Sequence, residues 1–394
     1  MPNFVGITGH RLRQACHIRP QFRLRTLLAA VAVAGALFGW ASHQIHVCRM
    51  ERIVGNRVYA IGGDAEYEPP LADETPMVAT SWHEILGHRR LARLSTEYAP
   101  DQGSRLTDDD MRQLGNAAWL TELLLGQAPQ LTDAGLSYIR DLPRVERFDL
   151  RSKSISDAGL RYLRRWDRLR VLFLDGCAIR GSGLAHLRRL SSLEYLSLAA
   201  TPIGDEALTH IAPFRKLEGL NLSGTRISDA ALAHLAPVTS LERLDLGGTM
   251  ITDAGLTNLS TLNNLCDLNL TRTRVAGPGL KALHLDRVAY LRADETPFSD
   301  TAMPHVGRMH RLCVLELAGT RVTSAGVGHL NDLAFLAVLD LSRSQVDDRC
   351  MDVLHNLPAL KSVGLNETDV SSSAIERLRA RRPQVRIYYS RRVR

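Results

Sequence analysis

The dominant pattern in this chain is a hydrophobic spacing that alternates between two periods and restarts every 24 residues. Residues 217–246 read LEGLNLSGTRISDAALAHLAPVTSLERLDL. Leu217, Leu220 and Leu222 lay down L-x-x-L-x-L, and Leu241, Leu244 and Leu246 lay it down again. Alternation of this kind predicts a short strand, whereas Leu232 and Leu235 keep helical spacing. One unit is therefore a strand, a turn and a short helix. Leading apolar residues recur at Val145, Leu169, Leu193, Leu217, Leu241 and Leu265 in steps of 24. A single step of 23 leads to Val288, after which Leu312, Leu336 and Leu360 return to 24. Leu120 precedes the series by 25 residues and Val385 follows it by 25. One unit alone buries too little apolar surface to fold, and stacking supplies a continuous core. The expected fold class is α/β: a solenoid of parallel strands on one face and short helices on the other.

The recurrent polar positions fit the same scheme. Thr201, Thr225, Thr249, Thr273, Thr296, Thr320 and Thr368 share a slot just past the strand, with Ser344 and Cys177 as variants. A hydroxyl there can satisfy backbone groups left unpaired where the strand ends, so a buried threonine ladder is predicted. A Ser/Thr-Asp pair follows, at Asp133, Asp157, Asp229 and Asp253. It supplies an N-cap and a favourable charge at the start of each helix. The rhythm falters between Leu265 and Val288, where a residue is missing and Pro278 enters the helix start. In the next unit Ala293 replaces the last strand leucine and Pro304 sits early in the helix. A local bend or looser packing is expected there. Leu106 to Leu114 reads as the first convex helix, and Val385 to Tyr389 as a closing strand.

Upstream of the repeats the pattern changes. Residues 1–25 are basic, with five arginines and no acid, and residues 26–42 form an apolar run, TLLAAVAVAGALFGWAS. As a helix the run spans ~25 Å, a little short of the ~30 Å hydrocarbon core, which snorkelling by Arg25 and Arg49 would absorb. A retained anchor is the favoured reading. A cleaved signal peptide, ending near Ala41, and a buried soluble helix are the alternatives. The arginine excess before the run places the N-terminus in the cytoplasm and the repeats on the opposite side of the cell membrane. Residues 43–90 read as a membrane-proximal α/β cap: a helix continuation or stalk at His43 to Ile53, strands at Arg57 to Ile61 and Ala65 to Tyr67, and a helix at Trp82 to His88. The solenoid is assigned to 91–390, opening on an irregular strand at Leu91 to Tyr98, and a basic tail to 391–394.

Charge sharpens this division. The chain carries a formal +7, but residues 376–394 alone hold eight arginines and one glutamate. Subtracting both basic ends leaves the body at −5, so the bulk charge says little about partners. The arginine-rich C-terminus reads as a solvated cap rather than a site for anionic lipid, phosphate or nucleic acid. None of the six cysteines forms C-x-x-C, and Cys266 and Cys313, two repeats apart in one slot, are too far apart for a disulfide. His83-Glu84-Ile85-Leu86-Gly87-His88 evokes a zinc protease, but its histidines are five apart and lie about 140° apart around a helix. His186, His210, His234 and His329 repeat one helical position and are too dispersed for metal ligation. No metal, cofactor or catalytic residue is expected.

The candidate functional surface is the strand face, where the third and fifth residues of L-x-x-L-x-L point away from the core. It comprises Arg147, Asp149, Phe173, Tyr195, Ser197, Asn221, Arg243, Asp245, Asp267, Asn269, Tyr290, Arg292, Glu316 and Asp340, with Asp175 and Asp294 in adjoining turns. The stripe is polar, leans acidic and carries three aromatics, expected to be exposed. Aromatic anchors among charges suit a protein interface, here for a partner with a basic or mixed surface.

The pattern L-x-x-L-x-L-x-x-T-x-[IV]-[ST]-D-x-[GA]-L resembles the leucine-rich repeat family. It is most similar to the subtype of F-box and related proteins, which often carries cysteine or asparagine where this chain has threonine. The basic head, apolar run and repeat array together resemble membrane-anchored bacterial leucine-rich repeat proteins. The resemblance spans roughly 270 to 300 residues. It implies a right-handed horseshoe, strands inside, and protein recognition without catalysis. No F-box segment precedes the repeats, so an intracellular F-box-like adaptor is the second reading, and a zinc hydrolase using the His83 segment the third.

Overall fold

The computed structural model describes residues 64–67, 91–95 and 106–391. The basic head, the apolar run at 26–42, the His83 segment, the expected strand at Arg57 to Ile61 and the tail past Arg391 lie outside the described residues. No helix among the described residues is long and apolar enough to cross a membrane.

The strands are β1 (Asp64–Tyr67), β2 (Leu91–Ser95), β3 (Glu122–Gln127), β4 (Arg147–Arg151), β5 (Val171–Phe173), β6 (Tyr195–Ser197) and β7 (Gly219–Asn221). They continue as β8 (Arg243–Asp245), β9 (Asp267–Asn269), β10 (Tyr290–Arg292), β11 (Val314–Glu316), β12 (Val338–Asp340), β13 (Ser362–Gly364) and β14 (Arg386–Tyr388). All fourteen form one sheet in chain order. β2 to β14 are parallel, and β1 adds antiparallel to the free edge of β2. The middle leucine stacks on its own copy from strand to strand: Leu196, Leu220, Leu244, Leu268, Leu291, Leu315 and Leu339. Each is at most 2% exposed. The extra residue of the first copy is absorbed by a bulge between Leu124 and Gly126. Strands lie ~4.8 Å apart while helical turns need more room, so the sheet lines the inside of the curve.

Three hydrogen-bonded ladders run beside the leucines. The threonine ladder is present as the sequence predicts. Thr201, Thr225, Thr249, Thr273, Thr296, Thr320 and Thr368 are buried, and each hydroxyl donates to the carbonyl three residues back, at 2.5–2.9 Å. The residue before each threonine takes a left-handed conformation: Gly224 and Gly248 in some repeats, Ala200, Arg272 and Glu295 in others. Its amide donates to the next repeat, as from Gly224 N to the Gly247 carbonyl at 2.7 Å.

The third ladder is the aspartate of the Ser/Thr-Asp pair, which does more than start its own helix. Asp133 accepts the Ser156 amide at 2.9 Å and the Ser156 hydroxyl at 2.6 Å. Asp229 does the same for Thr252. That Ser/Thr is the next helix's N-cap, and Ser156 and Thr252 in turn accept the Ala158 and Ala254 amides at 3.2 Å. Each carboxylate therefore caps one helix start and ties it to the next repeat. Glycine two residues past the aspartate leaves room for the carboxylate arriving from the preceding repeat: a Cβ on Gly255 would lie 2.2 Å from Asp229 Oδ1. The helices are short, an α turn such as Asp229–Leu232 running into a 3-10 turn, Ala233–Leu235.

The irregular unit keeps the register, since Leu268 pairs with Leu291. The 3-10 turn Pro278–Ala282, which Gly277 enters at φ 110°, keeps the 24-residue offset, and the missing residue falls after it, between Leu283 and Leu285. Leu283 and Leu285 below it are 9% and 7% exposed, the looser packing expected here. Ala293 leaves a gap in the leucine column, and Phe298 holds the slot that Ile227 and Ile251 occupy elsewhere; all four are fully buried. Relative to the leucine and isoleucine of the regular units, the ring adds three side-chain carbons where the alanine drops three.

Candidate functional site

The strand face is built from two rows that the parallel register fixes. The first runs Arg147, Val171, Tyr195, Gly219, Arg243, Asp267, Tyr290, Val314 and Val338. The second runs Asp149, Phe173, Ser197, Asn221, Asp245, Asn269, Arg292, Glu316 and Asp340. Sequence reasoning therefore places these residues on one face. It missed Val171, Gly219, Val314 and Val338, because it selected polar and aromatic residues; their shared third slot was the signal.

Accessibility differs along the rows. Asp149 is not available to a partner: it is 2% exposed and accepts both Nε and a terminal nitrogen of Arg151, at 3.3 and 3.2 Å. Ser197 is also buried, its hydroxyl donating to Asp175. Alternation assigns a side chain to a face, but neighbouring long side chains decide whether solvent reaches it. The aromatics are not equally exposed either. Phe173 and Tyr195 are half-buried against each other, with centroids 5.1 Å apart and rings tilted by 44°, whereas Tyr290 is 45% exposed.

The centre of the face is polar and internally connected. Asp245 accepts the Gly247 amide at 2.8 Å and the Asn269 side-chain amide at 3.0 Å. Asp267 pairs with Arg292. The Tyr195 ring lies over Gly219, where a Cβ would come within 2.4 Å of it. Around this point Tyr195, Leu220, Asn221, Arg243, Asp245 and Asp267 line a recess of about 120 Å³. Further along, Asp294 and Glu316 are each held above the usual carboxylate range, first by burial and then by neighbouring carboxylates that include Asp340. The Ala318 amide, 2.7 Å away, opposes the shift at Asp294. The face is acidic, and two of its carboxylates are poorly solvated.

Among the described residues no group of three His, Cys, Asp or Glu side chains could hold a metal. His186, His210, His234 and His329 each sit in the helical turn of a different repeat, as their spacing implies. The four described cysteines are free. Burial pushes the Cys177 thiol up to about 11 and Cys350 to about 12, so neither is a ready nucleophile.

The Leucine Rich repeat family matches residues 239–260, which span β8 and the helix after it. No curated protein matches the sequence. Solved structures share its fold. An internalin from Listeria monocytogenes is 20% identical over 73% of this chain and 85% of its own, with a TM-score of 0.54. A leucine-rich repeat protein of Leptospira interrogans is 18% identical over 70% and 74%, with a TM-score of 0.52. The mouse RP105/MD-1 complex includes a chain 20% identical over 69% and 46%, with a TM-score of 0.54. The 24-residue register, the three ladders and these likenesses converge on one fold: the chain stacks strand–turn–helix units as leucine-rich repeat structures do, and its residues 239–260 match the Leucine Rich repeat family.

Proposed function

We propose that this is a non-enzymatic, membrane-anchored leucine-rich repeat protein that binds another protein through its concave strand face. The observation that carries the reading is a contrast within each repeat. Leucine, threonine and aspartate slots recur because the stack needs them, while one strand-face slot holds Arg147, Val171, Tyr195, Gly219, Arg243, Asp267 and Tyr290 in turn, so that no two neighbouring repeats of that run agree. Variation without a structural demand is what a recognition surface supplies. Carboxylates at Asp245, Asp267, Asp294, Glu316 and Asp340 favour a partner with a basic or mixed surface, and Tyr290 gives an aromatic anchor. The mouse RP105/MD-1 structure, which has the same fold, is a protein–protein complex.

The anchor is assigned to residues 26–42, with the N-terminus cytoplasmic and the repeats on the other side of the cell membrane. The sequence supports it through the apolar run and the five arginines before it. Two measurements test the reading. Crosslinking followed by identification of co-purifying proteins should recover a partner that Asp245→Lys with Asp267→Lys loses; undiminished recovery refutes concave-face binding. Carbonate extraction should leave the protein in the membrane pellet; release into the supernatant favours an intracellular adaptor instead.

A further inference from the structure

A concentration of positive charge separate from the C-terminal arginines lies away from the strand face, on the flank where each helical turn leads into the next strand. Three consecutive flank segments, residues 140–144, 161–168 and 185–192, hold eight arginines against two aspartates. Arg140, Arg164 and Arg188 share one slot at the 24-residue period, and Asp141, Arg165 and Arg189 share the next. The stack does not require them, since the following repeats place Ala212-Pro213 and Ala236-Pro237 in the same two slots. All five arginines are exposed. Asp141 is shared between Arg140 and Arg165, at 3.0 Å from each. Arg164, Arg188 and Arg189 have no acidic partner among the described residues. Two adjoining recesses open on this flank. One, of about 410 Å³, lies among Arg140, Arg161, Tyr162, Arg164 and Arg165. The other, of about 600 Å³, lies among Arg164, Arg165, His186, Arg188 and Arg189.

We propose that this arginine flank docks the repeat body onto an anionic membrane, with lipid phosphates seated in the two recesses. The guanidinium fork matches phosphate oxygens in pairs, and arginine fills every basic position in the three segments. Two adjacent recesses sharing Arg164 and Arg165 suit a sheet of closely spaced headgroups. A single-stranded nucleic acid would need open aromatic platforms for its bases, and Tyr162 is already covered by Arg161, 4.7 Å from its ring. The docking leaves the strand face free. It agrees with the anchored reading but stands on the flank charge alone.

The test uses the full-length protein and flotation with vesicles of phosphatidylcholine, alone or with phosphatidylglycerol, at low and high salt. Wild type should prefer the anionic vesicles, and salt should weaken the preference. Each arginine near an anionic surface strengthens binding about five-fold, so Arg164→Gln with Arg188→Gln should cut the preference about 25-fold. Arg377→Gln with Arg379→Gln removes equal charge from the exposed side of the helix Ser372–Arg381 and should change the preference less than about two-fold. Equal losses from both pairs, or no loss from the flank pair, overturns the proposal. So does an oligonucleotide whose binding falls with the flank pair while the vesicle preference stays. Absent binding to phosphatidylcholine with a retained anionic preference sinks the anchor but supports the flank.

Discussion

The regular repeats at residues 217–265 and the interrupted unit at residues 276–306 meet the same two demands with different residues. In the regular run Leu222, Leu246, Ile227 and Ile251 fill the core, and Asp229 is tied to Thr252. In the interrupted unit Ala293 and Phe298 fill it together. Asp253, facing a glycine-proline entry with no hydroxyl to bond, accepts three backbone amides instead, from Ala276, Gly277 and Gly279 at 2.7–3.0 Å. What persists is filled volume and a satisfied carboxylate, and residue identity follows from those.

The comparison can be broken at its core first. Phe298→Ala should lower stability by about 3–5 kcal/mol in denaturant unfolding, because it adds a cavity beside Ala293. Ala293→Leu alone should cost about 1–3 kcal/mol by overpacking against the ring. Ala293→Leu combined with Phe298→Ile, the regular pattern, should cost less than the sum of the two single changes. Strict additivity would show that the two side chains do not share one space.

Removing the ties comes next. Asp229→Ala should cost about 1–3 kcal/mol, since it strips the Thr252 amide and hydroxyl of their acceptor. Asp253→Ala should cost more, because three amides lose theirs. Equal losses would mean that only the shared helix-start charge matters.

A smaller effect follows from the raised pKa of Asp294. Burial disfavours its charged form in the folded state, so it destabilises the fold at pH values above its folded pKa. Protonation removes that penalty as the pH falls. Asp294→Asn keeps an acceptor for the Ala318 amide and should therefore unfold at higher denaturant than wild type at neutral pH. The advantage should shrink as pH drops through the raised pKa and vanish below the ordinary aspartate range. A constant advantage across that window would contradict the account.

The smallest expected change concerns the left-handed turns. Ala200 holds φ 55° where Gly224 and Gly248 hold 67°. Ala200→Gly should stabilise by up to about 1 kcal/mol, the relief of Cβ crowding less the added entropy of the unfolded chain. A loss of stability would show that Ala200 is not crowded there.

The leucine columns and the threonine ladder were legible in the sequence because both are local: period two or 3.6 for one, a fixed offset from the strand end for the other. The forward reach of Asp229 was not, since its partner lies 23 residues on. The pairing of aspartate with glycine two residues later, as in Asp253-Ala254-Gly255, was its trace in the sequence. On the strand face, alternation assigned the outward side chains but could not register that Arg151 folds back over Asp149. It also took Phe173 and Tyr195 to be exposed, whereas they lie against each other.

The central claim is that recurrent slots hold the stack and the varying strand face is free for binding. Denaturant midpoints of Asp229→Ala and Tyr290→Ser in the full-length protein test it most directly. The account predicts a lowered midpoint for the first and an unchanged one for the second. An unchanged midpoint for Asp229→Ala, or an equal fall for Tyr290→Ser, would contradict it.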